Sequence, residues 1–166
     1  MLRLSLLFLI TMLSSSFAQN REANPEDVST VDGVMNAYYE AVSGPPGKRD
    51  FKRIQTLYLP GAKLNVNSVD GTLLHGLVEE VLMSERFQTI STDFYEREIS
   101  RDEHRFGDMA NVISTYGISD AMANTDYTAR GVTVFQLRKH DGRWWVLSSM
   151  WQREGEGLPI PANLLD

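Results

Sequence analysis

The hydrophobic period of this chain settles to two near Thr92, and that change limits what the chain can fold into. Before about Thr92 the apolar residues recur mostly at helical spacing, broken by one short alternating stretch; after it they recur at every second position. Val28, Val31, Val34, Met35, Tyr38, Tyr39 and Val42 form one helical face, with Ser29 and Asp32 spaced as a capping box and "SGPPG" at Ser43 to Gly47 as a stop. Asp50 is placed to cap a second, shorter helix carrying Phe51, Ile54, Leu57 and Tyr58, which Leu59-Pro60-Gly61 should end. Both stripes read as core packing before they read as a binding surface. "AKLNVNSVDGTLLHG" alternates, with Leu64 and Val66 on one face, and turns at Asp70-Gly71. Leu77, Val78, Val81, Leu82 and Ile90 give a third helical stripe.

Past the change, Ala110, Val112, Ser114 and Tyr116 share one strand face, and Val132, Val134 and Gln136 share a face of the next. Asp141-Gly142 between two such runs is the clearest hairpin in the chain, and a last strand runs from Arg143 to about Gln152. Helices first, then a short strand pair, a helix and four consecutive antiparallel strands argue an α+β fold: a curved antiparallel sheet of about four to six strands around two or three N-terminal helices.

The ends are different in kind. "MLRLSLLFLITMLSSSFAQN" has one early cation, Arg3, an apolar run from Leu4 to Leu13, and Ser16 and Ala18 at the two small-residue positions before a cleavage point. We read residues 1–18 as a secretory signal, 19–27 as a polar lead-in, 28–154 as one domain and 155–166 as a Gly/Pro-punctuated tail. An uncleaved anchor is the alternative, but the run is short against the roughly 20 residues that span a bilayer. Cleavage would leave 148 of the 166 residues and a net charge of −7 in place of −6, enough chain for one sizeable core. The expected location is secreted or periplasmic, with no membrane span after cleavage. An acidic chain lacks the basic footprint that nucleic acid requires. The chain has no cysteine, which excludes disulfides, thiolate metal sites and a cysteine nucleophile.

Several phrases carry a likeness: "FYEREI" at Phe94 to Ile99, "RFGDMANVISTYG" at Arg105 to Gly117, "ARGVTVFQL" at Ala129 to Leu137, "GRWWVLSSMWQRE" at Gly142 to Glu154 and "PIPANLL" in the tail. Together they resemble the nuclear transport factor 2-like (SnoaL-like) superfamily, and most of all its exported bacterial members. The resemblance spans roughly Val28 to Leu165. It implies a cystatin-like cone with a pocket between the concave face of the sheet and the helices. It implies no single activity, since isomerases, dehydratases, cyclases, epoxide hydrolases and protein-binding modules share the fold.

By periodicity alone Phe94, Tyr95, Glu98 and Ile99 also suit a helix; the resemblance makes Thr92 to Phe106 a strand. Strand alternation then sets Phe94, Glu96, Glu98 and Ser100 on one face and Tyr95, Arg97, Ile99 and Arg101 on the other. Both faces carry charge, either lining a polar cavity or pairing across strands with Arg105 or Arg130. Candidate acid/base groups are Glu96 and Glu98, then Asp32, His75 and His104. Candidate ligand-binding residues are Tyr116, Arg130, Gln136 and Trp151, with Ser114 beside them. Trp145 and Trp151 are expected to share a face. His75, His104 and His140 are too widely spaced for a metal motif, and nucleophile elbows and glycine-rich phosphate loops are absent, so no metal and no cofactor are expected.

Two functions compete at this point. One is a binder of a small, partly apolar molecule, with cofactor-free isomerisation or dehydration as a further possibility. The other is a non-catalytic interaction module, a homodimer built through the outer face of the sheet. In the first, Glu98, Arg130, Tyr116 and Gln136 should converge inward without pairing to one another.

Overall fold

The computed structural model describes residues 22–67, 73–82 and 89–166. The proposed signal and the Asp70-Gly71 turn lie outside the described residues.

The first helical face is two helices, α1 (Pro25–Val28) and α2 (Val31–Val42). The cap of α2 is Thr30, not Ser29: the Thr30 hydroxyl accepts from the Gly33 amide at 2.9 Å, while Ser29 closes α1. Gly33 allows the break, because a Cβ there would come closer than 3.0 Å to the Glu26 carbonyl. A two-residue strand β1 (Gly47–Lys48) follows, and Asp50 then caps α3 (Phe51–Leu57) as expected, accepting from the Arg53 amide at 3.0 Å.

α3 ends just ahead of Leu59-Pro60-Gly61, as expected, but the tripeptide is not a loop. It lies within β2 (Tyr58–Asn67), whose register to its neighbour shifts between Tyr58 and Lys63. A proline without an amide and a glycine at φ +83° interrupt the ladder without stopping the strand. The third helical stripe is divided among β3 (Leu73–Leu77), α4 (Val78–Leu82) and β4 (Thr89–Ile90). The long strands are β5 (Tyr95–Phe106), β6 (Met109–Ser119), β7 (Ala129–His140) and β8 (Arg143–Arg153).

Among the described residues these form an α+β fold with a curved six-stranded sheet in the order β3-β2-β8-β7-β6-β5, beside a small β1-β4 pair. All neighbours are antiparallel except β2 and β8, which run parallel. Cross-strand register fixes the faces. Val112 of β6 stands opposite Phe135 of β7, which stands opposite Ser149 of β8, and all three are buried under the helices. Val31, Val34, Met35 and Tyr38 of α2 supply the facing layer, with Tyr38 edge-on to Phe135 at 5.1 Å between ring centroids. The chain end returns over the opposite face of the sheet: the Leu164 carbonyl, in a 3-10 turn (Ala162–Leu164), accepts from the hydroxyls of Ser100 and Thr115. No helix among the described residues is long and apolar enough to cross a membrane.

Candidate functional site

The core does not fill the cone. Between α2, α3 and the concave face of the sheet lies a cavity of about 310 Å³, lined mainly by Tyr38, Phe51, Tyr58, Phe94, Tyr116, Ile118 and Trp151. One carboxylate, Glu96, lies among these walls, with Arg49 and Arg153 as the cations.

Glu96 is held there by its backbone. The hydroxyl of Ser43, the residue that closes α2, donates to the Glu96 carbonyl at 3.0 Å and accepts from its amide at 2.9 Å. One step away, Gly44 and Phe94 exchange backbone hydrogen bonds. The "SGPPG" stop therefore also clamps the start of β5 to the end of the helix. Arg49 shapes the same corner by donating to the carbonyls of Val42, Gly44 and Pro45 at 2.9, 2.9 and 2.6 Å. Burial lowers its pKa, yet each of its three nitrogens donates to a backbone carbonyl, so Arg49 is a structural staple.

The Glu96 carboxyl has no hydrogen bond or ion pair to any described residue. Burial raises its pKa from 4.5 to about 8, against a weak opposing pull from Arg153. At neutral pH it is a protonated acid able to donate a hydrogen bond, close to the pH at which it could also take a proton. Burial likewise raises the phenols of Tyr38, Tyr58 and Tyr116, so the cavity is lined by neutral hydroxyls. The Tyr58 hydroxyl is held by Ser149 at 2.8 Å. Tyr116 lies across Gly131, whose Cβ, if present, would come closer than 3.0 Å to its ring and hydroxyl.

The other sequence candidates divide. Trp151 and Tyr116 line the cavity. Glu98 faces inward but is spent on partners: Arg101 donates to it at 2.6, 2.9 and 3.0 Å, and Ser114, itself 2.7 Å from the Tyr39 hydroxyl, donates at 2.5 Å. Asp32 is exposed at the far end of that chain, paired to Arg101. Gln136 is on the outer face, where it accepts from Ser148 at 2.8 Å. Arg130 is also outside, in a two-bond pair with Glu154 at 2.9 and 3.0 Å. The expected inward convergence of Glu98, Arg130, Tyr116 and Gln136 is therefore not formed. In the middle of β7 both alternating sets carry apolar residues, Val132 and Val134 in one and Phe135 and Leu137 in the other, and it is Thr133, Phe135 and Leu137 that turn inward.

Trp145 and Trp151 do not share a face. A register shift in the β7–β8 ladder, past the Gln136–Ser148 pair, puts Trp145 outside under the Arg143 guanidinium and leaves buried Trp144 and Trp151 on the inner side. His75, His104 and His140 are all exposed. No group of three or more His, Asp or Glu among the described residues could hold a metal. Arg153 was the residue missed by sequence reasoning, although period two from Trp151 already puts it on the cavity side.

The chain matches no protein-family model and no curated protein. It does match solved structures. An NTF2-like protein of unknown function from Pseudomonas putida KT2440 superposes with a TM-score of 0.57 at 13% identity, over 87% of this chain and 95% of that one. An NTF2-like superfamily protein from Salmonella enterica serovar Typhimurium gives 0.54 at 12% identity, over 76% and 87%. A protein of unknown function with a cystatin-like fold from Nostoc punctiforme gives 0.53 at 12% identity, over 72% and 84%. At such identities the likeness is one of fold, and it agrees with the observed order of helices and strands: the protein has the nuclear transport factor 2-like cone fold.

Proposed function

We propose that this protein, exported and cleaved of its leader, binds a small and partly apolar molecule in the cone cavity. The observation that carries this reading is Glu96: a carboxyl without an ion-pair partner, opening into an aromatic cavity of about 310 Å³. A polar group left unsatisfied in an apolar site costs stability, and a bound molecule that hydrogen-bonds to it offsets that cost. The volume is at the lower end for small-molecule sites, and apolar walls with few polar groups are their usual make-up.

The test is native mass spectrometry of the mature protein purified from its own host, followed by tryptophan fluorescence with the retained compound. A reproducible extra mass that leaves on gentle activation, and whose return changes the emission of Trp151 (lost in Trp151→Phe), supports the reading. A bare protein that gains nothing from a host metabolite extract sinks it.

One feature favours the competing interaction module. Ile113, Val134 and Met150 stand opposite one another across the outer face of β6, β7 and β8, and Met150 is 51% exposed. A second copy would cover that row. Sedimentation equilibrium decides it: a dimer that Met150→Lys dissociates supports this reading, and a monomer at high concentration removes it.

A further inference from the structure

Arg153 lines two spaces at once. It forms part of the wall of the inner cavity, and it also lines an open outer cleft between residues 125–130 and the end of β8. The other arginine of that cleft, Arg130, is neutralised by Glu154. Arg49, the other cation of the cavity, is consumed by backbone carbonyls. Arg153 makes no ion pair or hydrogen bond through its guanidinium to any described residue, and its field reaches both Glu96 and Tyr116. Arg153 is thus the uncommitted planar cation shared by the two spaces: on the cleft side it lies among lining residues that include Asp126 and Glu156, and on the cavity side are aromatic walls and a hydrogen-bonding carboxyl.

We infer that the cavity takes a small monocarboxylic acid with an apolar body, its carboxylate on the Arg153 guanidinium and its body among Tyr38, Tyr116 and Trp151. The inference rests on the reading of the cavity as a small-molecule site and deepens it by naming the ligand class. A guanidinium fork matches a carboxylate with two parallel hydrogen bonds, and one unpaired fork suits one such group. With Glu96 protonated, neither cavity guanidinium has an ion-pair partner among the described residues, and it is Arg153, whose N–H groups are uncommitted, that can receive an anion. Ionising Glu96 would supply a negative charge from inside and would repel the incoming carboxylate. The groups that face Glu96 are Tyr38 and Tyr39 of α2, Arg49 before α3, Tyr58 of β2, Tyr116 of β6 and Arg153 of β8. The phenols remain neutral and Arg49 remains bonded through the neutral range, leaving Glu96 as the switch. Carboxylate binding should thus weaken as pH rises through about 8.

The experiment pairs two probes of nearly equal shape, 3-phenylpropanoate and 3-phenylpropanamide, titrated calorimetrically into the mature protein at low salt. The expected result is at least tenfold tighter binding of the carboxylate at pH 7. Arg153→Gln should abolish that preference and Arg153→Lys keep part of it. Glu96→Gln should keep the preference and remove its decline between pH 7 and 9. Arg153 is exposed, so these variants should fold, which their melting curves check. An amide that binds as tightly as the acid, or a preference that survives Arg153→Gln, overturns the carboxylate inference while leaving the cavity a binding site. Binding of neither probe, together with no retained mass from the host, overturns both.

Discussion

Glu98 and Arg101 point to the same side of β5, although they are three residues apart on a strand. Glu98 stands opposite Tyr116 and Ser100 opposite Thr115, so Ile99 is an extra residue without a partner on β6. This bulge moves Arg101 onto the inner face, opposite Ser114, and creates the pair that strict alternation forbids. It also explains how one strand carries so many charges: Arg101 pairs with Glu98, with Glu103 and with Asp32 of α2, and Glu103 pairs in turn with Arg105.

The pair is partly buried, with side-chain exposures of 16% for Arg101 and 23% for Glu98. Burial works against the Arg101 charge, but its bonds to Glu98 and then Asp32 outweigh that and hold its pKa above the ordinary value. Arg101→Met strands a carboxylate beside Ser114 and should cost about 2 kcal/mol in urea unfolding. The double variant Glu98→Gln/Arg101→Met should recover part of the loss. A double variant whose cost equals the sum of the two single variants would show that the two side chains are not coupled.

Glu96 makes stability fall as pH rises. Below 4.5 its carboxyl is protonated whether the chain is folded or not; between 4.5 and about 8 the unfolded chain releases the proton and the folded one keeps it. The stabilising difference is therefore whole below pH 4.5 and is lost as pH climbs through about 8, beyond which it levels off. The loss should be on the order of a few kcal/mol. Glu96→Gln, which mimics the protonated acid, should be the more stable protein at pH 9 and show a flatter profile over this window. Parallel urea titrations at pH 5, 7 and 9 measure it, and identical slopes in the two proteins would refute the assignment.

The same contrast separates the two glutamates chemically. Glu98 is tied to Arg101 and Ser114, whereas Glu96 is neutral and opens into the cavity. Proton exchange at the carbon next to a carbonyl, followed by NMR in deuterated water with small aryl ketones, is a cofactor-free readout. Any exchange catalysed in the cavity should drop at least about a hundredfold in Glu96→Gln. Glu98→Gln should leave it within about threefold once the fraction folded is accounted for. Loss through Glu98 alone would transfer the acid/base role to that residue.

What was legible in the sequence follows from how far each signal reaches. The change of hydrophobic period and Asp141-Gly142 are local, and they gave the helices, the last hairpin and the α+β class. The faces of β5, β7 and β8 were lost for physical reasons. Bulges at Ile99 and in β8 past Trp145 each reverse an alternation that simple counting carries forward, and the middle of β7 carries apolar residues on both sides, so their presence does not tell which face turns inward. Glu96 and Trp151 lie on the cavity side, where alternation puts them, because they precede or follow those irregularities with the correct parity. Arg130 was misread because its partner, Glu154, lies 24 residues away and comes beside it only when β8 pairs with β7.

Gly131 tests whether the cavity wall is built on that pairing. A Cβ at this position would lie closer than 3.0 Å to the Tyr116 ring, to its hydroxyl and to the Gln152 carbonyl. The last of these is backbone and cannot swing aside. Gly131→Ala should therefore cost about 2 kcal/mol or more, the range of overpacked cores, and push Tyr116 into the cavity it lines. Tyr116→Phe removes the hydroxyl clash but neither the ring nor the carbonyl, so it should rescue little of the loss. Thermal unfolding of the single and double variants distinguishes the outcomes. A Gly131→Ala protein as stable as the parent would mean that β7 and β8 are free to separate here, and that the wall beneath Tyr116 is not fixed by the ladder.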